Sequence, residues 1–187
     1  FKTEHEFKSA FLNAVKAYEK VRRKIDGHLD QCKTNEGVGV NEPVFSQKIK
    51  DWLVSVEPDL IEEEKRLRLH MDSFTALMSL KVGDVVKVPT YTPHALQHGV
   101  RTVEFQTPVY ERKILSFAQK VLTQSHWDTE EAIAKMHITP DQPSVAEECA
   151  ISHNASSQRI VEFDDFWVDR VRLQAGARVE LNCTDYV

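Results

Sequence analysis

The sequence has few cysteines and no pattern that would join them. Cys32, Cys149 and Cys183 are odd in number, far apart and without a C-x-x-C spacing. This argues against a disulfide framework of the kind that holds small secreted domains, and against a structural zinc cluster. We therefore expect a protein of a reducing compartment and take the cytoplasm as its location.

Long apolar runs and an excess of basic residues are missing as well. No stretch approaches the roughly 20 apolar residues that a transmembrane helix needs, and no signal-peptide pattern opens the chain. The 187 residues carry a formal net charge of -5, so the chain has no basic footprint for nucleic acid. Neither a membrane nor a nucleic acid is expected as a partner.

Helical patterns fill the first part of the chain. Thr3 and Glu6 form a T-x-x-E capping box, apolar residues then recur at helical spacing, and Gly27 is read as the stop signal. A second amphipathic helix is predicted over 45–56. A third is predicted over 59–80, where the charged run EEEKRLR is interpreted as a solvated face.

From residue 81 onwards the pattern becomes typical of strands. KVGDVVKVP and GVRTVEFQTP are rich in Val and Thr and are punctuated by Gly and Pro. A short helix is expected after Asp128 as its N-cap, and QRIVEFDDFWVDRVRLQAGARVELN is predicted as a hairpin with Gly176 at its turn. Helices followed by strands favour an α+β or β-rich architecture over a doubly wound sheet.

Residues 83–106, GDVVKVPTYTPHALQHGVRTVEFQ, resemble the G-D-x-x-x-I/V-P-x-G-T-x-H-A-x-x-x-G stretch of type I mannose-6-phosphate isomerases, which belong to the cupin superfamily. The matching positions are Gly83, Asp84, Val88, Pro89, Thr92, His94, Ala95 and Gly99, followed by Glu104 and Gln106. In that family a helical insertion precedes the stretch and a second, degenerate cupin follows it.

The fold implied by this resemblance is mainly β, a cupin jelly-roll barrel with a helical insertion. Residues 1–80 would be the helical segment, inserted in the barrel or attached to it. Residues 81–150 would form the cupin core strands with the metal-type motif, and 151–187 would begin the second cupin-like domain.

The resemblance also implies a zinc site and an activity. The last zinc ligand of the family falls on His94, and the remaining ligands of this one divalent ion are expected upstream of residue 1. A catalytic or substrate-holding arginine of the family falls on Arg112, and Glu104 is the candidate catalytic acid or base. The activity implied is the interconversion of an aldose phosphate and a ketose phosphate, with mannose 6-phosphate and fructose 6-phosphate as the first pair. His98 is expected at the surface.

Such an isomerisation moves a proton between adjacent carbons through an enediolate. A divalent metal ion with an open position can polarise the carbonyl, and a nearby guanidinium adds fixed positive charge. A carboxylate or a neutral imidazole can move the proton. The three predicted residue types therefore match the chemistry.

Two departures from the family pattern keep an alternative open. The family has an aspartate four residues before the arginine, where this chain has Pro108, and the family glycine before the metal threonine is Tyr91 here. A non-catalytic cupin that binds sugar or has a regulatory role is therefore the second hypothesis. Under it His94 is an ordinary turn or buried histidine, Glu104 faces solvent and Arg112 is an exposed charge.

Overall fold

Four helices and three strands make up the regular structure in the part of the chain that the computed structural model describes. The described residues are 1–39, 42–97, 99–107, 112–115, 127–138 and 148–181. They fall into two compact units. The first, the helical unit, spans Phe1–Ser79 and Arg112–Met136; the second, the sheet unit, spans Leu80–Glu111 and His137–Val187.

Helix α1 spans Glu4–Asn35 and begins at the predicted capping box, where Thr3 Oγ1 accepts a hydrogen bond from Glu6 N at 3.1 Å. The prediction that the helix stops at Gly27 is wrong. One glycine in a helix interior costs only about 1 kcal/mol, and the turns beyond it gain contacts, such as that of His28 Nε2 with Ser55 Oγ at 2.8 Å. The helix ends before Gly37, whose φ of 71° suits glycine.

Helices α2 and α3 follow as Ser46–Leu53 and Pro58–Asp72. Pro58 stands in the first turn of α3, where its missing N–H costs nothing. The third helix is shorter than the predicted range to residue 80. The hydroxyls of Ser73 and Thr75 donate to the carbonyls of His70 and Asp72 and so take up the free carbonyl groups at its end.

Helix α4 spans Thr129–Lys135 and follows Asp128, as predicted. The Asp128 side chain does not cap the helix by a hydrogen bond. Its Oδ2 accepts from Ile114 N at 2.9 Å instead, and its own N–H donates to Ile114 O at 2.9 Å. This pair of bonds ties α4 to the residues that precede it in the helical unit.

The core of the helical unit lies where α1 packs against α3 and α4. The apolar positions of α1 recur every three or four residues and so share one face of the helix. Fully burying an aliphatic or aromatic side chain of this kind contributes about 1.5 to 3 kcal/mol. The buried members of the cluster are Phe11, Ala14, Val15, Tyr18, Val21, Leu67, Met71, Ile133 and Met136.

The sheet unit contains one antiparallel sheet in the order β1-β2-β3. The strands are Glu148–Ser152, Ala155–Glu162 and Trp167–Leu173, and both hairpin connections are short. Arg159 stands directly opposite Asp169, and its Nε donates to Asp169 Oδ1 at 3.0 Å. This cross-strand pair helps to fix the register of β2 and β3.

The segment predicted as a hairpin does form one, but the prediction of Gly176 as its turn is wrong. Residues 163–166 join β2 to β3, with Phe163 N donating to Phe166 O at 2.8 Å and the two rings stacked with centroids 4.9 Å apart. Gly176 lies beyond β3, in a turn closed by Ala177 N and Gln174 O. The error has a physical reason: glycine marks a tight turn, whereas the connection between the strands is closed here by a pair of aromatic rings.

The mainly β cupin jelly-roll fold, with a second cupin following, is wrong as a prediction. Among the described residues helix exceeds strand, and their only sheet is open and three-stranded. The Val-rich residues 80–97 and 99–107 contain no strand. Composition favours an extended, half-buried chain, but a strand forms only where a neighbour pairs with its backbone. Without such a pairing Val82, Val103 and Phe105 stay exposed.

Candidate functional site

The backbone of the isomerase-like motif contains two tight turns, at residues 81–84 and 89–92. In residues 81–84 Asp84 N donates to Lys81 O at 3.1 Å, and Gly83 has a φ of 95°. In residues 89–92 Thr92 N donates to Pro89 O at 3.1 Å, and the third residue again has a positive φ. A hydrogen bond from the fourth residue to the first, with positive φ at the third, is the signature of a type II turn.

Tyr91 occupies the third position of the second turn with a φ of 64°. It is the one residue other than glycine with a positive φ in the described part of the chain. An L-residue in this region costs about 1 to 2 kcal/mol, and the isomerase motif has glycine at this step. The turn therefore has a conformation that glycine favours, although the residue at this position is tyrosine.

His137 holds Tyr91 in this conformation. The His137 N–H donates to Tyr91 O at 2.9 Å, and the two rings meet edge to face with centroids 6.0 Å apart. Both residues belong to the sheet unit. Backbone strain of this kind persists only where the surroundings fix it, and it is frequent at functional sites.

The strain at Tyr91 can be measured by comparing two substitutions. Tyr91→Ala and Tyr91→Gly both remove the ring contact, but only alanine keeps the unfavourable φ, so the glycine variant should be more stable by about 1 kcal/mol. Hydrogen exchange of the His137 amide reports the stability of this turn. Thr90 is the control, because its φ is not positive and alanine should be the more stable variant there. Equal stability of the two Tyr91 variants would contradict the strain.

His94 has a hydrogen bond that fixes its tautomer. Its Nδ1 lies 2.9 Å from Thr92 O, and because a carbonyl oxygen only accepts, Nδ1 must carry a proton. In the neutral ring Nε2 then has a free lone pair, and it has no hydrogen-bond partner among the described residues. Metal-binding histidines commonly donate their other ring N–H to a backbone carbonyl in this way. The exposed ring is therefore prepared to act as a ligand through Nε2.

The motif is attached to the β2–β3 hairpin within the sheet unit. Arg170 Nη2 donates to Gly83 O at 3.1 Å, and Lys87 Nζ lies 4.7 Å from the centroid of the Phe163 ring. The Asp84 side chain accepts from Lys81 N at 2.7 Å and so closes its own turn. The Lys87 and Arg170 contacts were not predicted, because no short-range pattern marks a contact across about 80 residues.

The other predicted site residues are divided between the two units. Glu104 is exposed and lies in the sheet unit, whereas Arg112 is exposed and lies in the helical unit. His98 and Pro108 are outside the described residues.

A metal ion needs more ligands than His94. No group of three or more His, Cys, Asp or Glu side chains that could hold a metal occurs in residues 1–39, 42–97, 99–107, 112–115, 127–138 and 148–181. Structural and catalytic zinc sites take three or four protein ligands. The described residues thus provide one suitable histidine and do not by themselves form a zinc site.

A buried polar cluster in the helical unit was missed by the sequence interpretation. Glu64, in the charged run read as a solvated face, is 7% exposed and accepts from Tyr18 Oη at 3.2 Å. Arg68 Nη2 lies 3.5 Å from one of its oxygens and Arg22 Nη1 lies 3.9 Å from the other. The signal was available, because Glu64 falls on the same helical stripe as the buried Leu67 and Met71 of α3.

No family model, no curated protein and no solved structure matches the chain. Among the described helices none combines the length and the apolar character needed to cross a bilayer. The resemblance of residues 83–106 to the isomerase motif therefore rests on the sequence of those residues alone.

Proposed function

We propose that the protein is a zinc-dependent aldose-ketose isomerase that acts on a sugar phosphate, with mannose 6-phosphate and fructose 6-phosphate as the first pair to test. The observation that carries the proposal is the hydrogen bond from His94 Nδ1 to Thr92 O, which leaves Nε2 free to bind a ligand. It occurs in a turn that keeps the glycine conformation of the motif at Tyr91. The proposal depends on this motif and not on a barrel.

The reaction assigns a separate task to each remaining residue. The proton on C2 of the aldose is removed and C1 gains a proton, while the hydroxyl proton of O2 ends on O1. Glu104 is proposed to move the proton between the carbons, since a carboxylate can act as base and then as acid. Arg112 is proposed to stabilise the charge that develops on oxygen, because a guanidinium remains protonated throughout.

Two substitutions test this function. Arg112→Ala should lower kcat/KM for mannose 6-phosphate by about a hundredfold, the scale expected for removing one preorganised donor. His94→Ala should lower both the turnover and the bound zinc measured by mass spectrometry of the metal. The Arg112 prediction fails if turnover stays within about twofold of the unmodified protein.

Matched controls separate these effects from a general loss of charge or of histidine. Arg101→Ala removes an exposed arginine three residues before Glu104, and His153→Ala removes an exposed histidine of the β1–β2 turn. Both variants should keep their zinc content and their kcat/KM. A zinc content that is equal in His94→Ala and His153→Ala would contradict the role of His94 as a ligand.

The second candidate function is a non-catalytic module that binds sugar or has a regulatory role. One observation favours it: Pro108 stands where the family has an aspartate. Under this hypothesis the zinc-loaded protein converts no aldose phosphate, yet a sugar phosphate still protects it against thermal unfolding. Conversion of any aldose phosphate in a panel of such substrates would support the isomerase and contradict the non-catalytic hypothesis.

A further inference from the structure

A shallow groove on the surface of the helical unit is lined mainly by apolar side chains. It has a volume of about 620 Å³ and lies where the end of α2 leads into α3. Val54 is 86% exposed and Leu69 is 62% exposed at this surface. The lining residues are Leu53, Val54, Val56, Pro58 and Ile61, with Leu69 and the charged Glu62, Lys65 and Arg66.

Helix α3 has two distinct faces. Leu67 and Met71 are buried in the core against α1, while Ile61 and Leu69 line the groove. Apolar side chains that are contiguous and exposed on one helix face are a common mark of an interaction surface. The helical unit therefore has a core face and a second apolar face on the same helix.

The charges along α3 change sign near its middle. The residues before position 65 include Asp59, Glu62 and Glu63, and the residues from 65 onwards include Lys65 and Arg66. The helix dipole favours acidic residues in the first turn and basic residues in the last, but its effect falls off within those turns. Glu62, Lys65 and Arg66 stand further inside the helix, so the dipole does not explain their order.

These groove charges have no partner within the described part of the chain. Glu64 pairs with Arg68 at 3.5 Å, one turn further on, but Glu62, Lys65 and Arg66 form no ion pair there. The helix thus presents an acidic half and a basic half beside an apolar stripe, with all three features open to another molecule.

We propose that this groove binds α3 of a second copy of the chain, packed antiparallel about a twofold axis. A twofold interface uses the same surface on both subunits, so the surface must be complementary to itself. Reversing the direction of one α3 brings its acidic half to the basic half of the other. Glu62 of each copy then faces Lys65 and Arg66 of its partner, and the apolar stripe with Ile61 and Leu69 is covered.

The contact is small, which sets the expected strength. The surface area buried by one helix face on each subunit is at or below the lower end of the range for specific interfaces, which is about 1,200 Å² in total. The dimer should therefore be weak, with a Kd on the order of 10 µM or above. It should also weaken with added salt, because the complementary charges lie at the solvent-exposed rim.

Sedimentation equilibrium of the 187-residue chain up to about 1 mM tests the proposal. Glu62→Lys should weaken the dimer at least tenfold, and so should the paired change of Lys65→Glu with Arg66→Glu, since each places like charges opposite one another. The triple variant with all three changes should return to within about threefold of the original Kd, because every facing pair again has opposite charges. This recovery distinguishes a direct contact between these positions from a loss of folding.

Two further variants complete the design. Leu69→Ser should weaken the dimer at least tenfold by removing apolar contact, while the circular dichroism at 222 nm stays unchanged because the side chain is already exposed. Lys20→Glu makes the same charge change as Arg66→Glu on an exposed site of α1 and should leave the Kd unaltered. A monomer at every concentration, or a triple variant no better than the variants it combines, overturns the proposal.

Discussion

Phe11→Ala should lower the free energy of unfolding of the helical unit by about 3 to 5 kcal/mol, the usual cost of removing a buried phenylalanine. Phe11 is 4% exposed and lies between two other rings, with centroid distances of 6.2 Å to Phe7 and 5.5 Å to Phe74. The three rings join α1 to the end of α3. Because domains are stable by only about 5 to 15 kcal/mol, this one change should remove a large part of the total.

Urea unfolding followed at 222 nm measures the effect, since every helix in the described part of the chain lies in the helical unit. Phe45→Ala is the matched control: it makes the same chemical change at a position that is 88% exposed. It should alter the stability by less than about 0.5 kcal/mol. Similar losses for both variants would mean that the ring cluster is not the core of this unit.

Stability should fall at high pH because of Tyr18. Burial raises the pKa of this phenol from 10.0 to about 12, and the neighbouring Glu64 carboxylate, which accepts its hydrogen bond, adds to the shift. The pKa of Tyr18 is higher in the folded chain than in the unfolded chain. The stability that its neutral phenol contributes is therefore complete below pH 10 and is lost as the pH rises towards 12. By pH 11.5 the loss should reach about 2 kcal/mol.

The comparison with Tyr18→Phe isolates this contribution. The phenylalanine variant should be less stable at pH 8, because Glu64 loses a donor, and the gap between the two proteins should shrink by about 2 kcal/mol between pH 9 and 11.5. Chemical unfolding at each pH gives the difference directly. Tyr91→Phe makes the same change at an exposed tyrosine, and its difference in stability from the unmodified protein should stay constant with pH. A gap that stays constant with pH would exclude Tyr18 as the titrating group.

The helices could be predicted because their signals are local. Each of these signals acts within a few residues of the chain: the capping box at Thr3, the proline at position 58 and the spacing of apolar residues in α1. The ends were less predictable, since the passage of α1 through Gly27 depends on contacts made after it, such as that of His28 with Ser55. Local propensity is a weak guide where tertiary contacts decide.

The strands could not be predicted in the same way. Residues 80–97 have the composition of strands but no pairing partner in the described part, whereas β1 begins in a stretch whose sequence is not typical of a strand and is paired with β2. Pairing is a property of two segments, and neither segment alone contains it. For the candidate site, the motif identified His94, but its bond to Thr92 O and the contact of Tyr91 with His137 depended on the folded backbone.

The Tyr91 turn has a consequence for how this sequence can change over time. A glycine at position 91 would accept the turn without help, and position 137 could then vary freely. With tyrosine present, the ring of His137 becomes part of what holds the turn, whereas its backbone N–H is kept by any residue except proline. The two positions are therefore coupled through the ring contact, and a lineage that alters His137 first would meet a less stable intermediate than one that places glycine at position 91 first. The order of substitutions at this turn is thus constrained by a single backbone angle.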